Sequence, residues 1–208
     1  MKNSVGIIDC GINNIHSLLK AFNKVEINAE IIEDHKKLKN FSHLVLPGVG
    51  AFDKGMDNLK KNNFVNEINN SAKKGCYILG ICLGMQLLFE KSQESTKNIN
   101  GLSLIRGACK KLKSNNNPQI RIPHIGWNSL KVMKETVLLK NIKNNADFYF
   151  VHSYYVSPED YKNVVAVCNY GIEFPAVVES NNIFGVQFHP EKCLKNGLNI
   201  LKQFSLIN

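Results

Sequence analysis

The sequence predicts an α/β protein, with a largely parallel sheet flanked by helices and an added mixed or antiparallel β-sheet. Three observations carry this. As far as Glu90, short apolar runs alternate with segments of helical periodicity, the pattern of a parallel sheet covered by helices. Some of those runs, such as Tyr77-Ile-Leu-Gly-Ile81, are apolar throughout, as strands buried on both faces are. Beyond Gly101, β-like runs follow one another with polar turns between them.

Val5-Gly-Ile-Ile-Asp9 reads as the first strand. A turn at 11–14 follows, where Asn13 or Asn14 is placed to cap a helix. Ile15, Leu18, Leu19 and Phe22 recur at helical spacing. Ala29-Glu-Ile-Ile32 is a second strand, and Asp34 opens a short helical turn. His43-Leu-Val-Leu-Pro47 is a third strand and runs into Gly48-Val-Gly-Ala-Phe52. A polar-rich helical segment covers 53–74, with a break in its middle. The strand at 77–81 comes next, and helix formers follow over 85–90. The runs at 102–105, 148–151, 164–167, 176–178 and 183–186 are assigned to the second sheet, with a polar turn at 114–117. A helix over 194–204 closes the chain.

With 208 residues, 44% of them hydrophobic, the chain suits one domain spanning 1–208. The net charge of +9 is nearly all lysine, scattered among asparagines; only Arg106 and Arg121 are arginine. No nucleic-acid motif accompanies it, so solvated surface lysines are expected and nucleic acid is not. No apolar stretch reaches membrane-span length, and Met1 to Asp9 lacks a signal-peptide core. The six cysteines (10, 76, 82, 109, 168, 193) form no C-x-x-C pair. A reduced, cytoplasmic protein is expected, with no metal site, disulfide frame or cofactor.

The chemistry centres on Gly80-Ile-Cys-Leu-Gly84, where a buried strand turns sharply into a helix. A nucleophile flanked by small residues at such a bend is a nucleophile elbow, here with Cys82 as the nucleophile. Side chains at 80 and 84 would strike neighbouring backbone. The bend sets the sulfur at a helix N-terminus, which favours thiolate. A lone cysteine in an apolar run is ordinarily a buried structural residue; the glycines and the strand-to-helix switch argue otherwise. Pro47-Gly-Val-Gly50 lacks the Lys-Ser/Thr of a phosphate loop and fails the dinucleotide pattern. At the carboxyl end of a neighbouring strand, it is a candidate oxyanion loop, with the Leu83 N–H as second donor. His189, in Gly185-Val-Gln-Phe-His-Pro-Glu191, is the candidate base. Pro190 biases it to an extended conformation, which sets His189 and Glu191 on one side, so that Glu191 orients the ring. His152, in Phe150-Val-His-Ser-Tyr154, is its nearest rival.

These motifs resemble the class I glutamine amidotransferases, with Cys82, His189 and Glu191 matching their catalytic triad. Pro47-Gly-Val-Gly-Ala-Phe52, Pro123-His-Ile-Gly-Trp-Asn128, Phe150-Val-His-Ser-Tyr154 and Gly185-Val-Gln-Phe-His-Pro-Glu-Lys192 carry the likeness across the whole chain. Within the class they look like the glutaminase subunits of imidazole glycerol phosphate synthases, of histidine biosynthesis. The resemblance implies a flavodoxin-like sheet with an added mixed sheet. It implies glutamine hydrolysis through a Cys82 thioester, an oxyanion hole at Val49, Gly50 and Leu83, and glutamine contacts at Gly48, Gln86, His152, Ser153 and Tyr154. It further implies a heterodimer with a (β/α)8-barrel synthase subunit that receives the ammonia through a channel. Docking would use Pro123, Ile125, Trp127, Asn128 and Lys192. Two places depart from the family pattern. The first turn is Asp9-Cys-Gly-Ile-Asn-Asn14 where Asp-Tyr-Gly-x-Gly-Asn is usual, and Cys193-Leu194 stands where Ser-Gln is common. A paralogue that supplies ammonia for amidinating surface-glycan sugars keeps the same motifs and is the main alternative. A non-catalytic binding subunit is disfavoured by the intact triad, and a stand-alone hydrolase by the Trp127 motif.

Overall fold

The computed structural model describes residues 4–11, 15–114 and 120–208. The caps at Asn13 or Asn14 and the turn at 115–117 lie outside them. The chain begins with β1 (Val5–Ile8), α1 (Ile15–Lys24), β2 (Ala29–Ile32) and β3 (His43–Gly48). A 3-10 turn at His35–Asn40 precedes β3, and the Asp34 carboxylate caps it by accepting from the Lys36 N–H. The expected long helix is two helices, α2 (Phe52–Lys61) and α3 (Phe64–Lys73). They part at Asn63, whose φ of 59° is tolerated by asparagine but ends helical geometry. Then come β4 (Tyr77–Cys82), α4 (Leu83–Leu87) and β5 (Phe89–Ser92). The helix expected over 85–90 thus ends early, because Phe89 leaves it to pair with Ile105 in a second sheet. Next are β6 (Ile105–Lys111), β7 (His124–Ser129), β8 (Lys131–Val132), β9 (Asp147–His152), β10 (Tyr154–Pro158), β11 (Val164–Asn169), β12 (Glu173–Ser180) and β13 (Ile183–Val186). A 3-10 turn at Pro190–Lys192 leads into α5 (Leu194–Ser205).

Eight strands form the main sheet, in the order β2-β1-β3-β4-β13-β12-β11-β8. It is parallel from β2 to β13 and antiparallel beyond. This corrects one expectation: the runs at 164–167, 176–178 and 183–186 extend the first sheet. β11 and β12 pair as a hairpin, and β13 inserts beside β4 in parallel. Apolar runs carry no label for the sheet they join; only pairing decides it. The separate sheets are β10-β6-β5 and the two-stranded β7-β9. The run at 102–105 contributes only Ile105 to a strand.

Both faces of the parallel part are buried. Val45, Leu79 and Ile81 face a core closed by Leu18 and Phe22 of α1 and Ile200, Leu201 and Phe204 of α5. Leu44, Leu46 and Ile78 face the other side, closed by Phe52, Met56, Leu59, Phe64 and Ile68 of α2 and α3. Such double coverage holds the carboxyl ends of β3, β4 and β13 in fixed register.

Candidate active site

Three strand ends meet at Cys82. In the β3–β4 register Gly48 stands opposite Cys82, so the Val49-Gly50 loop emerges beside the sulfur. In the β13–β4 register Val186 stands opposite Ile81, so the segment leading to His189 emerges on the other side. The elbow is strained: Cys82 has φ 54° and ψ −109°, a conformation that is costly for a residue with a Cβ. Close packing maintains it. A Cβ on Gly84 would lie 1.7 Å from the Leu46 carbonyl oxygen, and one on Gly80 would lie 2.7 Å from the Gly84 carbonyl. The bend therefore requires glycine at both positions.

His189 and Cys82 line the same pocket, close enough for the sulfur to act on the imidazole. Its Nδ1–H donates to Glu191 Oε1 at 2.9 Å, and both side chains are only 6% exposed. The expected reason for this pairing is corrected. His189 is extended, as expected, but Pro190–Lys192 is a 3-10 turn, and the Glu191 carboxylate meets the ring at Nδ1. Burial alone would lower the His189 pKa. The hydrogen bonds and charges of Cys82 and Glu191 outweigh it and raise the imidazole to about 10. Glu191 Oε2 is buried with no hydrogen-bond partner among the described residues.

The base is also tied through its backbone. The His189 N–H donates to the Tyr149 carbonyl at 3.0 Å. The Cys193 thiol, where the sequence departs from its family, donates to the His189 carbonyl at 2.9 Å and accepts from the Tyr149 N–H at 3.1 Å. Burial raises that thiol to about 12, so it stays a neutral bridge. Leu194, beside it, is 77% exposed. In the other departure, Cys10 is buried and its carbonyl accepts from Asn58 Nδ2 at 2.7 Å.

A pocket of about 260 Å³ opens over the sulfur. Val49, Gly50 and Leu83 line it, as do Gln86, His152, Ser153 and Tyr154, with Pro123 and Lys192 at its border. Gly48 does not line it and is packed against Leu83 and Gly84. The His152 ring has both nitrogens engaged. Nδ1–H donates to the Tyr154 carbonyl at 2.8 Å, so Nε2 accepts from His124 Nδ1–H at 3.1 Å. Burial keeps it neutral, with a pKa lowered to about 3. This rival base is therefore a fixed wall.

Ile125 and Trp127 are 58% and 53% exposed on the outer face of β7. Trp127 meets Tyr149 edge-on at 5.8 Å, and Lys192 Nζ lies 5.3 Å from the Tyr149 ring centroid. Asn128 is half-buried and donates to the Asn169 carbonyl at 3.0 Å. Two groups around the site escaped the sequence reading. Glu94 lines the pocket and accepts from the Phe52 N–H at 2.8 Å; burial raises its carboxyl. It sits in a polar turn with nothing local to mark it. Gln187, fully buried, reaches the sulfur with Nε2 at 3.7 Å. A glutamine inside the apolar run 185–188 was the available signal.

Fold and site together have the form of an α/β enzyme acting through a sulfur nucleophile and a carboxylate-oriented imidazole. A match to the family Glutamine amidotransferase class-I spans residues 6–207, and the chain belongs to that family. It is 49% identical over 200 residues to the imidazole glycerol phosphate synthase subunit HisH of Caldanaerobacter subterraneus subsp. tengcongensis, covering 96% of each chain. It is 40% identical over 203 residues to the same-named subunit of Bacillus subtilis, covering 97% of this chain and 95% of that one. Among solved structures it is similar in fold to a glutamine amidotransferase, with a TM-score of 0.74 at 15% identity and 96% of each chain covered. PurLQS from Thermotoga maritima gives 0.74 at 20% identity, with 98% of each covered. No helix among the described residues is long and apolar enough to cross a membrane.

Proposed function

We propose that this chain, as a single domain over 1–208, is the glutamine-hydrolysing subunit of an imidazole glycerol phosphate synthase. It works in the cytoplasm and passes ammonia to a (β/α)8-barrel partner that makes imidazole glycerol phosphate and AICAR. One observation carries the chemistry: Cys82 shares a pocket with a histidine that Glu191 holds by Nδ1. The likeness to HisH subunits over nearly the full chain supports the pathway.

In this mechanism the Cys82 thiolate attacks the side-chain amide carbon of glutamine. His189, held protonated by its neighbours, gives its proton to the departing nitrogen, and the C–N bond breaks to release ammonia. The now neutral imidazole takes a proton from water, which attacks the thioester; the C–S bond breaks and glutamate leaves. Backbone N–H groups at Val49, Gly50 and Leu83 stabilise the oxyanion. Gln86, Ser153 and Tyr154 shape the substrate site, and the Glu94 carboxylate is positioned to receive the α-ammonium of glutamine. Ile125, Trp127 and Lys192 form the docking face, with Pro123 and Asn128 at its edges.

Cys82→Ala tests this reading. Glutamine-dependent synthesis by the complex with its barrel subunit should be abolished, while synthesis from added ammonia persists. Loss of both activities would refute the assigned role. Glutamine turnover by the isolated chain should be slow and rise once the partner and its substrate are present.

A further inference from the structure

We infer that Gln187 is a further catalytic residue, whose side-chain N–H donates to the Cys82 sulfur and favours its anionic form. The inference rests on the reading of Cys82 as the nucleophile. It stands on a run of amides whose orientation is fixed at one end by backbone. Gln86 Nε2 lies 2.9 Å from the Tyr154 carbonyl oxygen and 3.2 Å from Gln187 Oε1. A carbonyl oxygen only accepts, so the nitrogen of Gln86 must be the atom that faces it. Gln187 must then turn its oxygen to Gln86, which leaves its nitrogen 3.7 Å from Cys82 Sγ. Reversing Gln187 alone would set donor against donor and oxygen against sulfur. Reversing both amides would set two carbonyl oxygens against each other at Tyr154.

The site is built for this contact. Gln187 is fully buried, and its backbone N–H is held by the Ala176 carbonyl at 2.9 Å. It does not line the pocket, so among the reacting atoms it meets only the sulfur. A donor at that position also answers a local problem. The Val151 carbonyl lies 3.6 Å from Sγ, where it accepts from the thiol but repels a thiolate. Gln187 opposes that preference, alongside His189. The other ionisable groups lining the same pocket are His152, which burial keeps neutral, Tyr154, Glu94 and Lys192, with Glu191 behind His189.

The test is the rate of Cys82 alkylation by iodoacetamide as a function of pH, read on the Cys82 peptide by mass spectrometry. Gln187→Met keeps the length of the side chain and removes the donor. About a tenfold slower alkylation at neutral pH is expected, the scale of one charge-assisted hydrogen bond. kcat for glutamine should fall with KM little changed. Alkylation of Gln187→Met at the wild-type rate would overturn the inference. Should that variant fail to fold, the wild-type chain decides: the Gln187 side-chain amide signals in a 15N NMR spectrum should shift when Cys82 is replaced by Ser, and unchanged signals would overturn it. The underlying reading is tested separately. Alkylation of Cys82 that left glutamine hydrolysis intact would refute the nucleophile and not the hydrogen bond.

Discussion

Cys82 and His189 are held by different parts of the molecule. Cys82 sits at the end of a central strand, at a bend packed so closely that neither flanking glycine could carry a side chain. His189 lies beyond the end of β13 and is anchored by hydrogen bonds to Tyr149, in the two-stranded β7-β9 sheet. That sheet has two unlike faces. His124, Phe148, Phe150 and His152 are buried inward, while Ile125, Trp127 and the Tyr149 ring with Lys192 over it lie outward. The rigid core thus fixes the sulfur, and the element that carries the exposed aromatic face fixes the imidazole. The same strand also touches the sulfur, through the Val151 carbonyl 3.6 Å from Cys82 Sγ, so the outer face is coupled to both groups.

Six substitutions sharpen or break this contrast. Glu191→Gln keeps the shape and removes the charge, and should lower kcat by about two to four orders of magnitude, as for other carboxylates that orient a catalytic imidazole. In the wild type the raised pKa keeps the His189 ring protonated across neutral pH, up to about 10. By NMR the ring should titrate lower in Glu191→Gln and in Cys82→Ala; an unchanged titration would refute the coupling. Gly84→Ala should cost about 3 kcal/mol or more in urea unfolding, because the new methyl meets backbone that cannot yield. A well-folded, active Gly84→Ala protein would break the claim that the elbow is rigid.

The outer face and the Cys193 bridge should respond more gently. Trp127→Ala should leave the free chain within about 0.5 kcal/mol of wild type. It should weaken the complex with the barrel subunit by about 2 kcal/mol, measured by calorimetric titration. Cys193→Ala leaves the Tyr149 N–H and the His189 carbonyl without their bridge, at about 1 kcal/mol in unfolding with a modest fall in kcat. Cys193→Ser, whose hydroxyl can both donate and accept, should restore both; equal losses in the two variants would count against the bridge.

Much of the site was legible because its signals are local. Two glycines around a cysteine, at the junction of a strand run and a helix run, describe a bend that sterics alone demands. His189 and Glu191 were legible as a pair: His189 is extended as expected, while Glu191 lies in a 3-10 turn. Glu94 and Gln187 were harder to find. One is an ordinary turn glutamate until the Phe52 N–H and the pocket claim it, and the other acquires meaning only from an amide and a sulfur about a hundred positions away.

By itself the sequence determined the alternation of strands and helices as far as β4, the elbow and the candidacy of Cys82, His189 and Glu191, since each depends on neighbours along the chain. Tertiary structure alone decided that β11 to β13 join the main sheet, that α4 stops at Leu87, and which buried groups surround the sulfur. Those outcomes depend on pairing between segments far apart in the chain, where many apolar partners are chemically equivalent and only the packed whole selects one.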